Sequence, residues 1–388
     1  MKKIIIVNNN MKVGGVQKSL YNLLWSIDGK YEITLLLFRA IGEYMHCLPT
    51  GVNVLEVEGL FRYLGVSQGE CRGVDKLKRG ILVVLCRILG RSRVMKLLLA
   101  SQKMLLDEYD CAIAFLHNGK VKNFYGGVQD FVLHRVKAKK KVAFLHCDYQ
   151  NCGANQQSNN QLIGQFDLVA ACSDGCRQVF QSVLPELTSK CITVNNCHRF
   201  DEIRAMAIDH AVEYDRNYCN VVMVSRLAHE KGVERALVAM ACAVEKNIPV
   251  ALHIIGGGPM ETYLRERVAE LKITDVVFFY GEKGNPYRYM KNADLFLMTS
   301  FHEAAPMVIE EAACLGVPVL TVETTSSDEM VVQQGRGWVC ENKQGALNEM
   351  FVQVLSDADW LHSVRERVHS SVMDNTLALE RFAKMIEG

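Results

Sequence analysis

The feature that most constrains the fold of this chain is the run from Ala293 to Val322, where an apolar stretch, a polar loop, a helix-spaced segment and a second apolar stretch follow without interruption. Ala293 to Met298 reads as a buried parallel strand. Pro306 marks the first turn of a helix that Gly316 stops, and Val317 to Val322 reads as the next strand. This is the grammar of an α/β protein. The helix start that follows Pro306 points unpaired N–H groups, those of Met307 and Val308, into the loop, where they can hold an anion such as a diphosphate. Glu303 precedes that helix and Glu311 lies inside it, so the pair suits a ligand carrying both phosphate and hydroxyls. A competing reading keeps Glu310 and Glu311 as solvated first-turn acids favoured by the helix dipole.

Upstream, the apolar run Val221 to Val224 ends in Arg226 and Lys231, which straddle a turn and a helix start. A guanidinium fork and an ammonium placed there can both reach phosphate oxygens. Val250 to Ile255 feeds Gly256, Gly257, Gly258 and Pro259, where the glycines permit close approach; the run is not a Gly-x-Gly-x-x-Gly fingerprint, and nothing marks it for NAD. Val276 to Tyr280 forms a further strand before Gly281 and Glu282. The first half opens on a short strand, Lys3 to Val7, and a polar loop that closes on Gly14 and Gly15 ahead of a helix-spaced segment. Strand-like runs follow at 31–38, 52–57, 111–116, 141–145, 166–171 and 190–194. The fourth of these ends in His146, Cys147, Asp148 and Tyr149, and a histidine at the carboxyl end of a parallel strand sits where open α/β sheets bind ligands. The competing reading is a structural histidine bonded to Asp148.

The order of Arg226 and Lys231, then Gly256 to Pro259, then two glutamates separated by seven residues resembles the retaining glycosyltransferases of family 4, most strongly from Val221 to Val332. The resemblance implies the GT-B fold, two facing Rossmann-like domains with a ligand cleft between them. It divides the chain into an acceptor-binding domain at 1–205, a nucleotide-sugar donor-binding domain at 206–365, and a closing helix at 366–388 that packs back towards the first domain together with Trp360. It further implies that Gly14 and Gly15 close over the donor diphosphate, that His146 and Glu303 face the transferred sugar, and that Arg226, Lys231 and the amides near Pro306, Met307 and Val308 neutralise the leaving phosphate. Glu311 would bind the ribose, Gly257 and Glu282 would lie against the nucleotide, and Asp148 would orient His146 or meet the acceptor. Relatives of this kind have Gly after the first glutamate, whereas this chain has Ala304; if that position needs positive φ, alanine is strained there.

The expected function is transfer of a sugar, with retention, from a nucleotide sugar (UDP-linked by preference) to a hydroxyl of a cell-envelope glycan or lipid-linked acceptor. A catalytically weak subunit serving a partner transferase and a nucleotide-sugar epimerase are the alternatives. A glycosidase pair would leave Arg226 and Lys231 unexplained. No cofactor and no metal are expected, since the only Asp-x-Asp pattern of the metal-clamp kind, Asp357 to Asp359, follows Ser356 at a helix start and reads as a cap. The 14 cysteines follow no repeated metal-ligand spacing, so the pairs Cys147 with Cys152 and Cys172 with Cys176 read as reduced, partly buried thiols rather than as zinc ligands.

A chain of 388 residues, 49% hydrophobic, holds two full cores, and a formal net charge of +1 gives no field for nucleic acid. The sequence shows no signal peptide ahead of the first strand, so the expected address is cytoplasmic. From Lys76 to Lys103 the chain carries eight Lys or Arg and no acid, interleaved with apolar residues. Such a stretch fits either an anionic membrane surface or a surface helix with snorkelling side chains.

Overall fold

The computed structural model describes residues 1–119 and 124–388. The chain divides into two compact units, residues 1–197 with 375–388, and residues 198–374.

The first unit is built on seven parallel strands: β1 (Lys3–Asn8), β2 (Glu32–Leu37), β3 (Val52–Glu56), β4 (Glu108–Ala114), β5 (Lys137–Leu145), β6 (Leu168–Ala171) and β7 (Cys191–Thr193), in the order β3-β2-β1-β4-β5-β6-β7. The second unit has six: β8 (Cys219–Val224), β9 (Val250–Ile255), β10 (Val277–Gly281), β11 (Leu295–Met298), β12 (Val319–Val322) and β13 (Gly337–Cys340), in the order β10-β9-β8-β11-β12-β13. Each sheet starts at its centre, grows to one side, then reverses and grows to the other. This is the doubly wound order, and its reversal falls between β1 and β4 in one unit and between β8 and β11 in the other.

The central strands are apolar on both faces because helices cover both. Ile4, Ile5, Ile6 and Val7 are all fully buried. In β8 the side chains alternate between two cores, with Val221 and Met223 joining Leu237 and Leu252 on one side of the sheet while Val222 joins Phe296 and Ile309 on the other.

Two expectations about the chain's second half need correction. The helix Phe200–Ile208 straddles the expected boundary at 205, yet it buries Phe200, Ile203 and Ala207 in the second unit's core. Likewise Trp360 does not return to the first unit. It lies 5.0 Å from Trp338 on β13, edge to face. The segment that does return is the helix Thr376–Glu387, which buries Phe382, Met385 and Ile386, and whose Arg381 donates to Asn195 at 2.8 Å. Asp357 caps the preceding helix as expected, accepting from the Trp360 amide at 2.8 Å.

The basic stretch forms two helices, Gly73–Leu89 and Arg91–Ala100. Arg79 is buried there, its guanidinium donating to Val66 O, Gln68 Oε1 and Phe124 O. The first helix meanwhile exposes Leu77, Ile81, Val84 and Ile88, one apolar face at helical spacing. No described helix is long and apolar enough to cross a membrane.

Candidate functional site

In the second unit, the turns after β8, β9, β10 and β11 meet at the carboxyl ends of the strands. Glycine makes this possible. A Cβ on Gly256 (φ +140°) would lie 1.8 Å from the Ser225 carbonyl oxygen, and one on Gly258 (φ +159°) 2.4 Å from that of Leu227. With no side chains in the way, the Leu227 amide donates to Gly257 O at 2.9 Å and the Met260 amide to Leu227 O at 3.0 Å. Gly257 lies beside Glu282, whose Cβ would be 3.6 Å from a Cβ added there. Gly232 (φ +60°) fits the same way against Thr299 O.

The β8 and β11 turns are then clamped to each other across the sheet's reversal. The Phe301 amide donates to Glu230 O at 2.9 Å, Thr299 Oγ1 donates to Gly232 O at 2.8 Å, and Phe301 stacks on His229. Lys231 Nζ donates to Glu303 Oε1 at 2.6 Å in an ion pair whose side chains are 27% and 14% exposed. Arg226, more exposed, pairs with Glu230. Glu311 is 1% exposed, which excludes the solvated-acid reading for it, and Glu310 is committed to Arg336 at 2.6 Å. The helix itself runs Met307–Cys314 with Pro306 at its cap position and no side chain capping it.

Ala304 is not strained in the way its replacement of glycine raised as a concern. Positive φ among the described non-glycine residues occurs only at His210, Asn247 and Lys272. The Ala304 carbonyl instead accepts from Ser326 Oγ, which ties its loop to the turn after β12. Two hydroxyls that the sequence reading passed over also lie at strand ends: Ser225 Oγ after β8 and Thr324 Oγ1 after β12 are buried and have no hydrogen-bond partner. Their only sequence signal is position, one or two residues past an apolar run.

In the first unit, Gly14 and Gly15 begin the helix Gly15–Ile27, which no side chain caps. Gly14 is extended (φ 172°), and a Cβ on Gly15 would meet nothing within 4 Å. The turn leading to them is held by side chains. Asn8, Asn9 and Asn10 are buried, and Asn10 Nδ2 donates to Gly65 O at 2.7 Å. His146 follows β5 and stacks on Phe144 (4.5 Å, 7° between planes), with Phe115 also 4.5 Å away. Its Nε2 is buried without a partner. Burial, with a contribution from His117, pushes its pKa down to about 3, so the ring is neutral at pH 7. Asp148 caps the turn that follows, accepting from the amides of Gln150 and Asn151 and from Asn151 Nδ2 at 2.7 Å. His117, after β4, is a titratable neighbour of His146 that sequence reasoning missed; burial pushes it down to about 4.

Residues 211–370 match the family model described as glycosyl transferases group 1. Over 164 residues the chain is 30% identical to the putative colanic acid biosynthesis glycosyltransferase WcaL of Escherichia coli K12, covering 39% of this chain and 40% of that protein. Over 155 residues it is 26% identical to the N-acetyl-alpha-D-glucosaminyl L-malate synthase of Bacillus anthracis, covering 40% of each. The chain thus spans about two fifths of the length of the curated relatives it matches. Among solved structures, Anabaena Alr3699/HepE in complex with UDP and glucose superposes with a TM-score of 0.69 at 18% identity over the whole of both chains. WaaG, a glycosyltransferase involved in lipopolysaccharide biosynthesis, superposes with a TM-score of 0.60 at 15% identity over 99% of this chain and 100% of that one. The fold is GT-B.

Proposed function

With a glycosyl transferases group 1 domain at residues 211–370 as premise, we propose that the protein is a retaining glycosyltransferase that moves a sugar from a UDP-linked donor to a hydroxyl of a cell-envelope glycan or lipid-linked saccharide. The observation that carries this reading is the pairing of Lys231 with Glu303 at the point where the second sheet reverses, beside three glycines whose backbone can approach a diphosphate. In support stand the curated relatives of polysaccharide biosynthesis and the UDP-bound likeness of HepE.

In this reading the acceptor oxygen bonds to the anomeric carbon on the face that the diphosphate leaves. The bond from that carbon to the β-phosphate oxygen breaks with its electron pair on the diphosphate, and the acceptor proton passes to the leaving phosphate. Charge growing on that phosphate is the largest demand. Lys231 and Arg226 meet it, exchanging Glu303 and Glu230 for phosphate oxygens, with the amides at Met307 and Val308. No metal is required for this step. Glu303, released from Lys231, contacts the sugar, and buried Glu311 takes the ribose hydroxyls. The first unit contributes His146, neutral and held by two aromatic rings, to the transferred sugar, Asp148 to the acceptor or to orienting that histidine, and Gly14 and Gly15 to the diphosphate. The exposed apolar face at Leu77, Ile81, Val84 and Ile88, flanked by Lys76, Lys78 and Arg87, is proposed to rest on an anionic membrane, which suits a lipid-linked acceptor.

The test is a thermal-shift panel of UDP, GDP, ADP, NAD and UDP-sugars with and without EDTA. Stabilisation by UDP and its sugars that survives EDTA is expected, because a ligand that binds only the native state raises stability by mass action. No shift with any nucleotide overturns the transferase reading in favour of a subunit that serves a partner. A UDP-sugar epimerised without acceptor points to the epimerase.

A further inference from the structure

The first unit gathers a second set of reactive side chains that sugar transfer does not use. His117 lies three residues beyond β4, Cys147 two beyond β5, and Cys152 at the end of the turn that follows; one ligand atom from each lies within 4.8 Å of the other two. Cys147 is buried and the other two are half-buried. The convergence is built by the backbone. β4 and β5 pair in parallel from Glu108 to Ala114, which sets their carboxyl ends side by side. Beyond β5 the Asp148 carbonyl accepts from the amides of Asn151 (3.2 Å) and Cys152 (2.9 Å), and this turn carries the second thiol back towards the first.

Three observations separate this set from ordinary packed thiols. The donors come from two neighbouring strand ends, and the hydrogen-bonded turn after β5 sets the second thiol beside the first. His117 Nδ1 is buried with no hydrogen-bond partner, which close packing alone does not explain. The combination of one imidazole nitrogen and two sulfurs also matches the preference of a borderline-soft cation. Zinc bonds of about 2.0–2.1 Å to nitrogen and about 2.3 Å to sulfur put tetrahedral ligand atoms roughly 3.5–3.8 Å apart, so side-chain rotations closing about an ångström complete the geometry.

We propose that His117, Cys147 and Cys152 form a binding site for a thiophilic divalent cation of the zinc class, with a fourth position open to water or a small ligand. The site is separate from the charge neutralisation of the leaving phosphate, which belongs to Lys231 and Arg226. Its consequence is mechanical. A bound cation ties the turn after β5 to the one after β4, and so fixes the segment that begins at His146.

Cobalt reports this directly. The full chain, stripped with chelator and reduced under anaerobic conditions, is titrated with Co²⁺ and read by absorbance. One equivalent is expected to give thiolate-to-cobalt charge transfer with the strong ligand-field bands of a tetrahedral site, all displaced by Zn²⁺. Cys147→Ser and Cys152→Ser should each weaken binding at least tenfold and diminish the charge transfer, His117→Gln should shift the ligand-field bands, and Cys242→Ser should change nothing. Native mass spectrometry of the wild type with one equivalent of Zn²⁺ gives a reading independent of how the variants fold; one bound zinc supports the site. A wild type that takes up neither metal, or a charge-transfer band that survives both serine variants, overturns the proposal. Nucleotide binding in the thermal-shift panel is untouched by either result, so this inference and the transferase reading fail separately.

Discussion

The two units wind their sheets in the same order but build the turn at the point of reversal by different means. After β1 side chains share in holding the chain, with Asn10 reaching Gly65 O and Gln17 reaching Asn9 Oδ1, while glycine enters only from neighbouring loops, at Gly42 against Met11 and Gly65 against Asn9 O. After β8 it is held by missing side chains, where Gly232, Gly256 and Gly258 let backbone meet backbone. The difference has a physical consequence. A turn held by asparagines can lose one hydrogen bond at a time, whereas a turn held by glycine loses its packing to the first added methyl.

The largest effect that could break this contrast is Gly256→Ala. Its Cβ would lie 1.8 Å from the Ser225 carbonyl oxygen at φ +140°, a clash with backbone that cannot step aside. The expected cost is more than ~4 kcal/mol, a large share of the stability of an ordinary domain. Limited proteolysis with peptide mapping should show new cuts concentrated in 198–374. A variant that melts like wild type would show that the glycine run is not what holds the turn.

Next in size is the ion pair across the reversal. Lys231→Ala removes a charge set against the leaving phosphate and leaves the carboxylate of Glu303, 14% exposed, without its ammonium. Transition-state binding should fall by roughly 3 kcal/mol, about a hundredfold in kcat/KM, as for removal of a preorganised charge-stabilising group. Glu303→Gln should cost a similar amount while keeping Lys231 available to phosphate, so UDP affinity should fall in the first variant and hold in the second. Full turnover by both variants in a steady-state assay would remove the site from this turn.

These residues also mark what was legible. Lys231 and Glu303 stand 72 positions apart; the sequence singled out each as a charge one loop past an apolar run, and the resemblance gave each a role, but only the fold shows that the two side chains pair. The glycine run was legible because no other residue fits. Ser225, Thr324 and His117 were not, since a hydroxyl or a lone imidazole past a strand is common and only the fold shows that it is buried and unpartnered. The fate of Trp360 was hidden for a related reason: the final helices are both amphipathic, and periodicity says that a face is buried without saying against which sheet.

A smaller effect comes from a histidine that belongs to neither turn. His253 on β9 is 4% exposed, with Nε2 3.0 Å from Asn220 Oδ1 and Nδ1 3.0 Å from Tyr280 OH. Asn220 uses its amide nitrogen on Asp215 O and Tyr218 O, so its oxygen accepts from Nε2–H and leaves Nδ1 to accept from the tyrosine. Burial pushes the pKa down to about 4 from the ordinary 6.5. Between those values the unfolded chain takes up a proton that the native state refuses, so stability falls as the pH drops, by up to ~1.4 kcal/mol per unit, and is fully present above pH 6.5. Chemical unfolding at pH 7 and pH 5 should show a loss that His253→Gln reduces. An equal loss in the variant would move the acid sensitivity elsewhere.

The smallest expected change in stability is the most informative about the first unit. A methyl on Gly15 would meet nothing within 4 Å, and alanine at a helix start loses less conformational entropy on folding than glycine does. Gly15→Ala should therefore leave stability within ~0.5 kcal/mol of wild type, against the collapse expected of Gly256→Ala. If Gly15 also lies beside a diphosphate, the same methyl occupies ligand space, and KM for the donor should rise while the melting temperature stays put. A loss of stability would mean that this turn, like the other, depends on glycine for its own packing. Unchanged stability with unchanged KM would mean that the open space beside Gly15 is plain solvent, leaving donor binding to the second unit.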